Sequence, residues 1–253
     1  MNNLFSLNSS TAVVTGASRG LGKAMALALA QAGADVVCSS SREGGCSETV
    51  AAIKKMGVQA WDIPANLSKR NEMEAFAATV LEKVGEVHIL VNNAGTITRH
   101  PADEYPLEEW DLVVQVNLSA VFQLCQLFGK PMIARKAGKI INTASLLTFS
   151  GGITVPAYAA SKHGVAGITK ALANEWAVHN IQVNAIAPGY FRTNNTQALQ
   201  DNPARNEQIQ GRIPAGRWGN PEDLGGAAVF LASKASNYVN GHILTVDGGW
   251  MAR

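Results

Sequence analysis

The stretch Thr11-Ala-Val-Val-Thr15-Gly16-Ala-Ser-Arg-Gly20-Leu-Gly22, followed by Lys23 to Ala32 and then Gly33, decides the fold. Thr11 to Thr15 is a short apolar, β-branched run, which reads as a buried strand. Lys23 to Ala32 is rich in Ala and Leu and stops at Gly33, which reads as a helix with a glycine end. A strand, a glycine turn and a helix in that order make a phosphate cradle. Glycines let the backbone approach an anion closely, and the helix N-terminus adds N–H groups and positive dipole. The spacing here is Gly-x-x-x-Gly-x-Gly rather than the commoner Gly-x-Gly-x-x-Gly.

Outward from that unit, strand-like runs alternate with helical patterns. Strands are expected at 12–15, 35–39, 58–63, 87–92, 139–143, 182–187 and 242–246, and helices near 20–32, 46–56, 69–84, 107–128, 157–178 and 221–232. The alternation predicts an α/β, doubly wound Rossmann-type fold: one domain over 1–253, with a seven-stranded parallel sheet and helices on both faces. Residues 188–219 are the least regular, as expected of a lid. In such sheets ligands sit beyond the carboxyl ends of the strands. Gly16 to Gly22, Ser39 to Arg42, Asn92 to Gly95, Ser145 and Pro188-Gly189 all follow strand candidates and should meet on one rim.

A second signal lies in Ser145, Tyr158 and Lys162. A Tyr and a Lys four apart on a helix share one face. An ammonium beside a phenol favours the phenolate, lowering its pKa from about 10 toward working pH. A serine hydroxyl nearby polarises a carbonyl or holds an alcohol, so the three can move a proton.

Composition narrows the partners. Apolar residues make up 47% and charged residues 16%, which suits a well-buried core, and a net charge of +2 argues against a nucleic-acid or membrane surface. Cys38, Cys46 and Cys125 lack metal-ligand spacing and are expected to stay thiols in the cytoplasm. The five histidines are scattered, so no metal is expected. Residues 1–8 lack the basic and apolar regions of a signal peptide, and no apolar run is expected to span a membrane.

Together, Thr15-Gly-Ala-Ser-Arg-Gly-Leu-Gly22, Asn92-Asn-Ala-Gly95, Asn117, Ser145, Tyr158-x-x-x-Lys162 and Pro188-Gly189 resemble the short-chain dehydrogenase/reductase family across essentially the whole chain. The resemblance implies a cofactor half near 1–150 and a catalytic and substrate half near 138–253. It implies that Tyr158 passes the proton, Lys162 lowers the phenol's pKa and holds the nicotinamide ribose, Ser145 orients the carbonyl or alcohol, and Asn117 holds a relay water. It implies cofactor contacts from Gly16, Ser18, Arg19, Gly20, Leu21 and Gly22, from Ser40, Ser41 and Arg42, from Asn66 and Leu67, and from Asn93, Ala94 and Gly95. Tyr158, Lys162, Pro188, Gly189 and Thr193 complete that set. A homotetramer is also implied.

Family members that prefer NAD usually carry an Asp where Ser40 stands. Without that carboxylate, and with Arg19 and Arg42 placed to attract a 2′-phosphate, NADP(H) is expected over NAD(H). Ile186-Ala-Pro-Gly-Tyr190, Thr193-Asn-Asn-Thr196, Arg212 to Gly219 and the Gly248-Gly-Trp250 end resemble the branch of deoxygluconate and gluconate dehydrogenases. That implies a sugar-acid substrate, met by Ser145, Tyr158, Asn194 and Asn195, with a carboxylate partner in Arg99, Arg212 or Arg217. Two alternatives stay open. A 3-oxoacyl-thioester reductase would share every catalytic motif, and a cofactor-sensing binding protein would not turn over.

Overall fold

A computed structural model describes residues 4–253; the first three residues of the expected domain and N-terminal stretch lie outside the described residues. Seven strands form one parallel sheet in the order β3-β2-β1-β4-β5-β6-β7. They are β1 (Thr11–Thr15), β2 (Asp35–Ser39), β3 (Ala60–Asp62), β4 (Ile89–Asn92), β5 (Gly138–Thr143), β6 (Ile181–Pro188) and β7 (Ile243–Val246). The order reverses between β1 and β4, the switch point at which doubly wound sheets open a crevice.

The central strands are continuous apolar runs because both sheet faces are covered. Ala12, Val14, Val36, Cys38, Ile89 and Val91 face one way. They pack with Met25 and Leu29 of α1 (Gly20–Gln31) and, further along the chain, with Ala228 and Leu231 of the helix Gly225–Ala232. Val13, Val37, Leu90 and Ile140 face the other way, against Phe76, Leu124, Phe128 and Trp176. The remaining helices are α2 (Ser47–Lys54), α3 (Glu72–Val84), α4 (Leu107–Val114), α5 (Ala120–Arg135), α6 (Pro156–Trp176), α7 (Gln197–Gln200) and α8 (Pro203–Arg212), with Gly225–Ala232 as α9.

Two expectations need correction. The helix expected over 107–128 runs to Arg135 as one 29-residue rod, α4 and α5 joined by a π-turn at Gln115–Ser119. Its mean hydropathy of 1.5 over an 18-residue window would suit a membrane span, contrary to the sequence expectation. Yet Val113, Leu124, Cys125, Phe128 and Met132 are buried, packing one face into the domain. The other correction concerns residues 188–219, which contain α7 and α8. Asn202 caps α8 by accepting from the Arg205 N–H at 3.1 Å, and Pro203 opens it. Of this helix only Ile209 is buried, so no apolar period marks it.

Candidate active site

The switch point opens into a cleft of about 430 Å³ that runs from the glycine loop to Tyr158 and Lys162. Gly16, Ser18, Arg19, Gly20, Leu21, Gly22, Ser40, Ser41, Asn66, Leu67, Asn93, Ala94 and Gly95 line it together with Thr193, Asn194 and Asn195. A dinucleotide fits this cradle. α1 starts without a side-chain cap or an acidic first turn, leaving its N–H groups toward the cleft. Gly16 has φ +66°, and a Cβ on it would lie 2.9 Å from Ala94 Cα. A Cβ on Gly22 would lie 2.2 Å from the Gly16 carbonyl oxygen, so the loop coils too tightly for any side chain there.

Asn93 and Thr15 hold that coil. Asn93 Nδ2 donates to the carbonyls of Thr15 and Gly16 at 3.0 and 3.3 Å. The Thr15 hydroxyl accepts from the N–H groups of Asn93 and Ala94, both at 3.0 Å. Asn93 and Ala94 thus brace the glycine loop directly. Thr15 was not among the expected cofactor residues, although it opens the family motif and is the polar residue that closes an apolar run.

At the other end, α6 presents Tyr158 and Lys162 one turn apart. Lys162 is only 4% exposed, and its ammonium donates to the Thr143 carbonyl at 2.6 Å. Burial lowers its pKa to about 8. Its Nζ lies 5.5 Å from the centre of the half-buried Tyr158 ring. The phenol's pKa runs against the sequence expectation: burial pushes it up. A hydrogen bond with Ser145 and the charge of Arg99 pull it back in part. The Lys162 ammonium is turned to the Thr143 carbonyl and is not among the groups that pull the phenol back.

Ser145 lies two residues past the end of β5 and caps the turn Leu146–Thr148, its Oγ accepting from the Leu147 N–H at 3.2 Å. Asn117 sits inside the π-turn and is fully buried. Its Oδ1 accepts from the Thr96 N–H at 2.8 Å, and its Nδ2 donates to the Thr96 carbonyl and the Ser161 hydroxyl at 2.9 and 3.3 Å. Its side chain is thus spent on joining three segments. His163 turns away, bonded to the Ala159 carbonyl of its own helix.

Beside the cleft a second hollow is lined by Ser18, Arg19, Arg42, Glu43, Gly44, Gly45, Ser47 and Glu48. Arg19 and Arg42 meet there, both exposed. Ser40 Oγ donates to the Arg42 carbonyl at 3.0 Å, fixing the turn that carries that arginine. Asn66 Oδ1 accepts from the Ser68 hydroxyl and N–H at 2.7 and 3.2 Å.

The segment after β6 closes the rim. A Cβ on Gly189 would lie 2.6 Å from Asp247 Cα, so Pro188-Gly189 presses on the turn after β7. Thr193 caps the 3-10 turn Asn194–Thr196, and a Cβ on Gly20 would touch Thr193 Cγ2 at 3.6 Å. Of the three candidate arginines, Arg212 stacks on Trp250 at 4.1 Å, and Arg217 pairs with Asp223 at 2.6 Å. Arg99 is exposed and has no hydrogen-bond or ion-pair partner among the described residues. No cluster of three or more His, Cys, Asp or Glu side chains suited to a metal occurs among them.

Comparison with known proteins agrees with this geometry. A family model described as Enoyl-(Acyl carrier protein) reductase matches residues 16–251. The 2-dehydro-3-deoxy-D-gluconate 5-dehydrogenase of Bacillus subtilis (strain 168) is 53% identical, over 100% of this chain and 99% of the relative. A crystal structure from Agrobacterium tumefaciens with bound NADP is 50% identical with a TM-score of 0.93, covering 100% of both chains. A gluconate 5-dehydrogenase from Burkholderia cenocepacia J2315, in complex with NADP and tartrate, is 38% identical with a TM-score of 0.95, over 99% of this chain and 98% of that one. The fold, the matched span and these identities make the chain an oxidoreductase of the short-chain dehydrogenase/reductase family.

Proposed function

We propose that this enzyme interconverts a secondary alcohol and a ketone on a sugar acid of the deoxygluconate or ketogluconate type, using NADP(H) in preference to NAD(H). The observation that carries the reading is one continuous cleft joining the glycine loop, the Tyr158–Lys162 pair and the polar Asn194-Asn195 turn. A bound nicotinamide dinucleotide supplies the hydride acceptor or donor. The chain's own groups do the rest. Tyr158 takes the proton from the alcohol or returns it to the carbonyl oxygen, and Ser145 steadies that oxygen. Lys162, already cationic below about pH 8, holds ribose hydroxyls and keeps positive charge near the phenol. Asn117 ties Thr96 to Ser161 and so fixes the walls around them.

The NADP(H) preference rests on the Arg19–Arg42 hollow and on Ser40 in place of a carboxylate. Relatives crystallised with NADP support it. Arg99 is the natural partner for the substrate carboxylate, because Arg212 and Arg217 are engaged elsewhere. Pro188 to Gly219 forms the substrate lid. The reading extends to a cytoplasmic homotetramer: all three cysteines are buried thiols, while Leu107, Phe122 and Val178 stay exposed on or beside the long helices. A monomer by light scattering would remove the tetramer.

A second reading, reduction of a 3-oxoacyl thioester, shares with the matched family's description an acyl-carrier substrate, though that description names the reduction of an enoyl C=C bond rather than a ketone. One panel separates the two: 2-deoxygluconate, gluconate, ketogluconates and a 3-oxoacyl thioester, each with NADP(H) and NAD(H). Turnover of the thioester alone defeats the sugar-acid reading. Equal or better catalytic efficiency with NAD(H) defeats the cofactor preference.

A further inference from the structure

The connection from β4 to α4, residues 93–106, is long and contains only the 3-10 turn Ala102–Glu104. Connections of that kind are ordinarily mobile. This one is fastened at three residues. Thr96 is bonded through both its N–H and its carbonyl to Asn117. The Thr98 hydroxyl bonds the Tyr105 hydroxyl. The His100 N–H donates to the Thr154 carbonyl at 3.0 Å, its Nε2 meets Glu109 Oε2 at 3.0 Å, and its ring packs edge-on to Tyr105 with centroids 5.5 Å apart. Arg99, between Thr98 and His100, is the residue left free. Its charge nevertheless reaches the Tyr158 phenol.

Glu109 roots the fastening in the first turn of α4, and Thr154 roots it in the loop leading into the helix of Tyr158. His100 therefore ties the arginine's backbone to both walls of the site at once. The His100 and Glu109 side chains are 35% and 36% exposed. A pair so exposed contributes little to global stability. Its geometry points instead to a local task.

We propose that His100, Glu109 and Tyr105 form a positioning unit that holds Arg99 at the Tyr158 end of the cleft, and so sets the affinity for the substrate's carboxylate. The proposal rests on the sugar-acid reading above. A guanidinium on a loose loop must be ordered when the substrate arrives; one on a fastened loop is ordered beforehand.

The test is a double-mutant cycle on the full-length enzyme, with D-gluconate as the probe, measured as a substrate and by calorimetry on NADP-loaded enzyme. His100→Ala and Glu109→Ala should each raise KM and Kd by about five- to tenfold, the cost of ordering one long side chain. Neither should change kcat more than about twofold or alter NADP affinity, since the unit acts through Arg99 on ground-state binding. Glu109→Gln keeps an acceptor and should restore most of the affinity. In an Arg99→Ala background His100→Ala should cost almost nothing more. Losses that add fully to that of Arg99→Ala, or that fall on kcat or NADP binding, overturn the proposal while leaving the sugar-acid reading intact. Wild-type enzyme that neither binds nor turns over any sugar acid defeats both. Should His100→Ala not fold, Glu109→Ala against Glu109→Gln decides the matter alone.

Discussion

Lys162 Nζ donates to the carbonyl oxygen of Thr143 at 2.6 Å, and this bond holds a cation in a nearly dry place. Burial lowers the lysine's pKa from 10.5 to about 8. A base whose folded pKa lies below its unfolded value binds fewer protons when folded. Its cost to stability is therefore complete below about pH 8 and gone above about 10.5. A shift of that size corresponds to about 3 kcal/mol. Lys162→Met should thus raise the Tm of the cofactor-free enzyme at pH 7 by about 6 to 12 °C, and the gain should vanish near pH 10.5. Cofactor affinity should fall in the same variant. A Tm at pH 7 no higher than wild type would show that burial does not strain this lysine.

Tyr158→Phe removes the proton carrier but little of the cleft wall. Turnover should fall by about 10²- to 10⁴-fold while cofactor binding, followed by fluorescence titration, stays within a fewfold of wild type. Unimpaired turnover would take Tyr158 out of the reaction.

Ser145 and Arg99 both pull the Tyr158 pKa down against burial. Alcohol oxidation needs the phenolate, so kcat/KM in that direction should climb with pH. In Ser145→Ala and in Arg99→Ala the climb should move to higher pH, besides the loss of rate or affinity. A pH profile that shifts to lower pH in either variant contradicts this electrostatic account.

Gly22→Ala puts a Cβ 2.2 Å from the Gly16 carbonyl oxygen, a backbone atom that cannot step aside. The coil must open, and affinity for NADPH and NADH should drop together by about tenfold or more. Isothermal titration that finds both affinities intact would mean the loop is softer than its geometry implies.

Arg19→Ala with Arg42→Ala acts differently. Removing two cations from the hollow they share should weaken NADPH by about 100-fold and NADH by less than about threefold. Equal losses for the two cofactors would deny the hollow its 2′-phosphate.

The sheet was legible because two-sided burial leaves its mark in every central strand; Ala12 to Val14, Val36 to Cys38 and Ile89 to Val91 could hardly be anything else. The glycine loop was legible because Gly16 and Gly22 occupy places closed to side chains. α8 stayed hidden because a helix that buries only Ile209 has no apolar stripe to detect. The direction of the Tyr158 pKa was also beyond reach. Residue spacing sets Tyr158 and Lys162 on one face, but whether the ammonium looks at the phenol or at a backbone carbonyl is decided by β5, distant in sequence. Arg212 and Arg217 were indistinguishable from Arg99 until Trp250 and Asp223 were seen to engage them.

The π-turn at Gln115–Ser119 gives the long rod about one residue more than an α-helix needs over that stretch. One residue removed there would relax the turn to ordinary α-helix while α4 and α5 keep nearly the same phase, so the core-facing side chains of both halves would stay in place. What would go is the local bulge that carries Asn117 to Thr96 and Ser161. Deleting Asn117 should therefore leave the fold standing but release the Thr96 end of the cleft. A single deletion inside α5, where no spare residue exists, should instead turn buried Phe128 and Met132 away from the core.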